Sequence, residues 1–175
     1  MNDGQLWQAA TAQVQKEYLS LPGLVRVELD ETLKRVAELK NAIAALAAAD
    51  AECEKCGGMC CRFGKHHFTV VDLLGYLHAK AELFSPDFAN QICPYHAGAG
   101  CLMPPEFRPY NCIIFICEEV ECRLASDVLS RLRGMEISLK ELYGRVEILL
   151  GNRFENGLLI TYERSLVSGG TLFRY

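Results

Sequence analysis

The stretch "CEKCGGMCC", residues 53–61, packs four thiols into nine residues, and its reading decides what kind of fold this chain can have. Five more cysteines follow at 93, 101, 112, 117 and 122, and none lies outside the 53–122 window. Cysteines serving only as small buried residues would be scattered along the chain. Confinement to one segment means that the sulfurs act together.

Three uses compete for them. Structural disulfides suit short secreted scaffolds. This 175-residue chain starts "MNDGQLWQAATAQVQKEYL", with neither the basic start nor the apolar run of a secretory leader. The expectation is therefore a cytoplasmic protein whose thiols stay reduced. The vicinal pair Cys60–Cys61 points the same way, because a disulfide between neighbours is strained. A redox C-x-x-C site is the second use, and Cys53-Glu54-Lys55-Cys56 has its spacing. Such a site needs two cysteines in a strand-to-helix setting, and the strand signal here is poor.

Metal binding, the third use, accounts for the number. Zinc and iron–sulfur clusters take thiolates in fours, and cysteines two or three residues apart let one tight turn present both sulfurs. Gly57 and Gly58 stand where that turn needs conformational freedom. Seven residues separate Cys93 from Cys101, ten separate Cys101 from Cys112, and four separate Cys112 from Cys117. A knuckle, a connection and two returning ligands make a cage. The side chains of Cys60 and Cys61 diverge unless the backbone there is helical or kinked, so they are expected to serve different centres or one shared multinuclear centre. The candidate ligands are Cys53, Cys56, Cys60, Cys61, Cys93, Cys101, Cys112 and Cys117, with Cys122 spare. His96, between Cys93 and Cys101, is the best replacement ligand. His66 and His67 read as second-shell or surface residues, and His78 as core or surface. Each four-thiolate site adds about −2 to a formal net charge of −4, which Lys55, Arg62, Lys65 and Arg108 could offset.

Helical patterns flank this segment. Residues 3–19 carry Leu6, Trp7, Ala10, Val14 and Tyr18 on one side, and Pro22-Gly23 opens a long amphipathic helix over 24–49. Its apolar rhythm is Leu29, Leu33, Val36, Ile43 and Ala47, with Lys40 on the skipped step. Val128, Leu132, Met135, Leu139, Leu142, Val146 and Leu149 form an a/d seam. Two helices packing within one chain is the plainer reading of that seam, and a homodimer through 128–149 is the alternative. Gly134, with Ser138 and Glu141 as a capping box, predicts a break in it. Inside the cysteine segment Thr69 caps a helix beginning "VVD", and Ser85-Pro86-Asp87 predicts another start. Residues 92–108 read as irregular, and Leu158–Val167 as either a strand or a short helix.

The fold class expected is therefore mainly α: long helical arms (1–52 and 123–175) flanking an irregular cysteine-rich metal-binding module (53–122). The segment resembles the YkgJ-like, or CxxCxxCC, zinc- or iron-chelating family. The resemblance rests on "CEKCGGMCC" at 53–61, "TVVD" at 69–72, "CPY" at 93–95, "GC" at 100–101, "RPYNC" at 108–112 and Cys117. Three residues separate Cys56 from Cys60 where the family pattern has two, and "IIFIC" replaces its aromatic-Pro step. The resemblance implies a metal-binding domain with the metal undecided between zinc and iron.

Other functions find little support. A net charge of −4 gives no basic face for nucleic acid. No apolar run is long enough to cross a membrane. There is no H-E-x-x-H, G-x-S-x-G, P-loop or ferredoxin-spaced cysteine run. The acidic run Glu118, Glu119, Glu121 reads as a solvated face. The expectation is a metal-binding protein with a multi-cysteine zinc or iron centre, and its alternative is an iron–sulfur-dependent redox or modifying enzyme. Enzymatic activity and a protein partner are left open.

Overall fold

The computed structural model describes residues 1–49, 59–90, 92–98 and 100–175, with the backbone alone at 59 and 60. Asn2 opens the first helix, α1 (Asp3–Leu19). The Asn2 side chain accepts the Gln5 N–H at 2.9 Å and the Gln5 side chain accepts the Asn2 N–H at 3.0 Å. Its buried stripe is Leu6, Trp7, Ala10, Val14 and Tyr18, the set the sequence rhythm picks out. Helix α2 (Gly23–Ala47) follows Pro22 and buries Leu29, Leu33, Val36, Ile43 and Ala47, but also Lys40. It stops at Ala48, in the left-handed region at φ 47°.

A 3₁₀ segment, Met59–His66, leads into α3 (Val70–Ala79), which is capped by Thr69 as expected. Beyond α3 the expected helix start at Ser85-Pro86-Asp87 does not form. Instead the Asp87 carboxylate accepts the Ala89 N–H and the Asp87 N–H donates to the Pro94 carbonyl, so the residues close a turn. A Pro-Asp pair favours a turn as readily as a helix start, and no periodic apolar stripe follows it. A two-residue hairpin comes next, β1 (His96–Ala97) paired antiparallel with β2 (Gly100–Cys101). A 3₁₀ turn at Pro105–Phe107 and two short helices, α4 (Tyr110–Ile114) and α5 (Glu118–Glu121), complete the middle of the chain.

Helix α6 (Ser126–Leu149) lies along α2. Leu132, Leu139 and Leu142 pack with Val36, Ile43 and Ala47 in one cluster, so the a/d seam is spent within the chain. A homodimer through this helix would have to use another of its faces. The expected break near Gly134 is absent, and the Ser138 hydroxyl donates to the Gly134 carbonyl inside a continuous helix. Burial of Leu132 and Leu139 on either side of Gly134 outweighs the ~1 kcal/mol that a glycine costs a helix. The ambiguous tail segment is helix α7 (Leu158–Val167).

The main core joins α1, α2 and α3 to the loop between α3 and α4 and to the end of the chain. Trp7 meets Phe68 at 5.1 Å and Phe84 at 5.6 Å between ring centroids, and Tyr76 stacks on Phe107 at 4.2 Å. Met103 and Tyr95, from the irregular stretch, are each 1% exposed. Regular structure is sparse there, but a core is not. The last residues are held in the same way: the Leu172 and Phe173 N–H groups donate to the Glu17 carboxylate, and Arg174 N–H to the Leu150 carbonyl at 2.7 Å.

Gly157, at the head of α7, sits against the chain that leaves the 3₁₀ segment. A β-carbon there would meet the His66 carbonyl oxygen at 2.4 Å, while the next residue, Leu158, donates its N–H to the Phe68 carbonyl at 2.6 Å. Gly157→Ala must therefore push two backbones apart. It is expected to cost about 1–3 kcal/mol, the usual range for overpacking, read as a lowered urea midpoint at unchanged m-value.

Candidate metal centre

Cys53 and Cys56 lie outside the described residues, as does the side chain of Cys60. The structure places the others on separate elements. Cys61 is half-buried in the 3₁₀ segment, Cys93 buried before Pro94-Tyr95, Cys101 exposed in β2, Cys112 exposed in α4, and Cys117 at the N-cap of α5. Cys122 is exposed at the end of α5.

Four of these are placed so that charge on Cys61, Cys93 or Cys101 reaches Cys112. Gly64 approaches Cys93 so closely that a β-carbon on it would lie 2.6 Å from the Cys93 sulfur. Tyr95 ties the same two stretches, its hydroxyl donating to the Lys65 carbonyl at 3.0 Å while its ring packs on Trp7, Phe68 and Phe84. The hairpin sets His96 opposite Cys101. Backbone amides reach two sulfurs: Tyr95 N–H donates to Cys93, and Met103 N–H to Cys101 at 3.4 Å. His67 Nδ1 lies 3.4 Å from the Cys112 sulfur.

The thiols feel one another. Burial pushes Cys93 up, and the charge of Cys101 adds to this while the Tyr95 amide opposes it. Burial also raises Cys112 well above the usual thiol value, followed by the charges of Cys101, Cys93, Asp72 and Cys61, although the residue keeps an exposed face. A bound cation would act the other way, stabilising the thiolate forms. Burial of His67, with the charge of His66, lowers its pKa and favours the neutral imidazole. Among the described residues no three His, Cys, Asp or Glu side chains converge tightly enough to hold a metal ion.

Two features escaped sequence reasoning. Lys65, expected beside the thiolates, pairs with Asp3 at 2.7 Å. Lys40, buried in the α2 stripe, pairs with Asp72 at 2.8 Å, and Asp72 also accepts the Tyr143 hydroxyl at 2.6 Å. A lysine on a core-facing step was the visible signal, since a buried ammonium needs an anion. Its partner could not be read from spacing. The histidine beside Cys112 is likewise a product of the fold.

No family model, curated protein or solved structure matches this chain. No helix among the described residues is long and apolar enough to cross a membrane.

Proposed function

We propose that this protein binds zinc or iron, the iron as an iron–sulfur cluster, on the thiolates of a CxxCxxCC-type module. The ligand set is drawn from Cys53, Cys56, Cys60, Cys61, Cys93, Cys101, Cys112 and Cys117. One observation carries the reading: Cys61, Cys93 and Cys101, far apart in sequence, all come within electrostatic reach of Cys112. Two of these sulfurs receive backbone N–H groups. A neutral thiol is a weak acceptor, whereas an amide aimed at sulfur favours the anion, the form that ligates metal. The six described cysteine side chains form no disulfide. The role supported is that of a binding or structural module, the metal fixing the turns on which the cysteines sit. No catalytic set accompanies the thiols among the described residues.

The test is anaerobic purification followed by elemental analysis and a visible spectrum. Stoichiometric metal is expected, colourless protein meaning zinc and brown protein iron–sulfur. Protein containing neither metal, with thiols that all react freely in the native state, would sink the reading.

A further inference from the structure

We propose that His67 is a metal ligand beside Cys112, so that the centre mixes nitrogen with sulfur. This rests on the metal-binding reading above and adds a donor that the cysteine pattern does not contain. Zinc ligates imidazole nitrogen at about 2.0–2.1 Å and thiolate at about 2.3 Å, so two such donors on a tetrahedron lie roughly 3.5 Å apart. His67 Nδ1 and Cys112 Sγ are 3.4 Å apart, the length of one such edge.

The backbone at His67 is held on both sides. Its own N–H donates to the Gly64 carbonyl at 2.9 Å, Phe68 beside it is fully buried, and the Phe68 carbonyl accepts the Leu158 N–H. The preceding carbonyl, that of His66, rests against Gly157. A ring carried on so fixed a stretch is preorganised, as a ligand must be. His66, exposed at the end of the 3₁₀ segment, is the natural control.

Charge favours the same assignment. A site of four thiolates around a divalent ion carries about −2, and exchanging one thiolate for a neutral imidazole halves that. Of the nearby lysines, Lys65 is engaged by Asp3 and Lys40 by Asp72. The Asp72 carboxylate also adds its own field at Cys112.

The experiment strips the full chain of metal without air, titrates it with Co²⁺ alone, and compares wild type with His67→Ala, His67→Cys and His66→Ala. Far-UV circular dichroism checks the fold of each. Wild type should give ligand-field bands of a mixed nitrogen–sulfur site. His67→Ala should lose more than about 100-fold in affinity and shift those bands, beyond the 10–100-fold that an outer-shell partner gives. His67→Cys should recover affinity with stronger thiolate charge-transfer absorption, and His66→Ala should match wild type. Unchanged bands in His67→Ala, whatever its affinity, overturn the assignment of His67 while leaving metal binding intact. Wild-type protein that takes up no Co²⁺ overturns it too, and elemental analysis of the protein as isolated then shows whether metal binding itself has failed.

Discussion

Lys40→Met is expected to lose about 3–5 kcal/mol of stability, the range found when one partner of a buried ion pair is removed. The Lys40 side chain is 2% exposed and that of Asp72 not at all, and their atoms meet at 2.8 Å. Asp72 is held from three directions. One oxygen accepts from Lys40 and from the Tyr143 hydroxyl, and the other accepts the Thr69 N–H and hydroxyl at 2.9 and 2.8 Å. One carboxylate thereby joins α2, α6 and the cap of α3. Removing the ammonium leaves three donors but no opposing charge in a setting without water to supply one. Against a total stability of about 5–15 kcal/mol this is a large fraction. The melting temperature should fall by roughly 6–20 °C at about 2–4 °C per kcal/mol for a domain of this size.

A second change tests the cause. Asn at 72 keeps one oxygen for the Thr69 N–H and hydroxyl, turns its amide N–H toward the Tyr143 hydroxyl, which can rotate to accept it, and carries no charge. The double variant Lys40→Met, Asp72→Asn should therefore recover much of the loss. Thermal and urea unfolding of both proteins at neutral pH decide the matter. A single variant within about 1 kcal/mol of wild type would mean that Asp72 needs no cation, and the pair would not be a buried linchpin.

Lys40 also marks the boundary of what sequence could tell. The stripes of α1 and α2 were legible because burial on one helix face writes a 3.6-residue period into the chain. Thr69 and Asp72 were legible as a cap, because that hydrogen-bond pair closes over three residues. Gly134 misled, since local propensity is worth ~1 kcal/mol and the packing of Leu132 and Leu139 on α2 is worth more. Ser85-Pro86-Asp87 misled because the same residues suit two local structures. That Asp72 turns its carboxylate to Lys40 and Tyr143, or that His67 comes beside Cys112, depends on contacts between distant segments. Such contacts leave no period to read. The cysteine pattern suggested a shared centre, but the sequence did not order the sulfurs, and it is the fold that brings Cys61, Cys93 and Cys101 within electrostatic reach of Cys112.

Chelating the metal is expected to lower the melting temperature by roughly 8–16 °C while leaving most of the helical signal. The size follows from linkage: a ligand at 1,000 times its dissociation constant stabilises by about 4 kcal/mol, and each kcal/mol moves the melt by about 2–4 °C. Retention of helix follows from where the core lies. Leu6, Val14, Leu29, Leu33, Leu73 and Leu74 are all buried in one cluster built mainly of aliphatic and aromatic side chains, with Cys93 the one cysteine among its buried members. Even the irregular stretch is anchored, through Tyr95, Met103 and Phe107, into the same cluster. What metal loss should release are β2 at Cys101 and α4 at Cys112, where both cysteines are exposed. Far-UV circular dichroism and a thermal scan with and without chelator measure both effects, and amide exchange at Met103 and around α4 locates the loosening. Complete unfolding on chelation would show that metal, rather than the apolar cluster, drives folding, as in zinc fingers. An unchanged melt would separate the thiols from the stability of the fold.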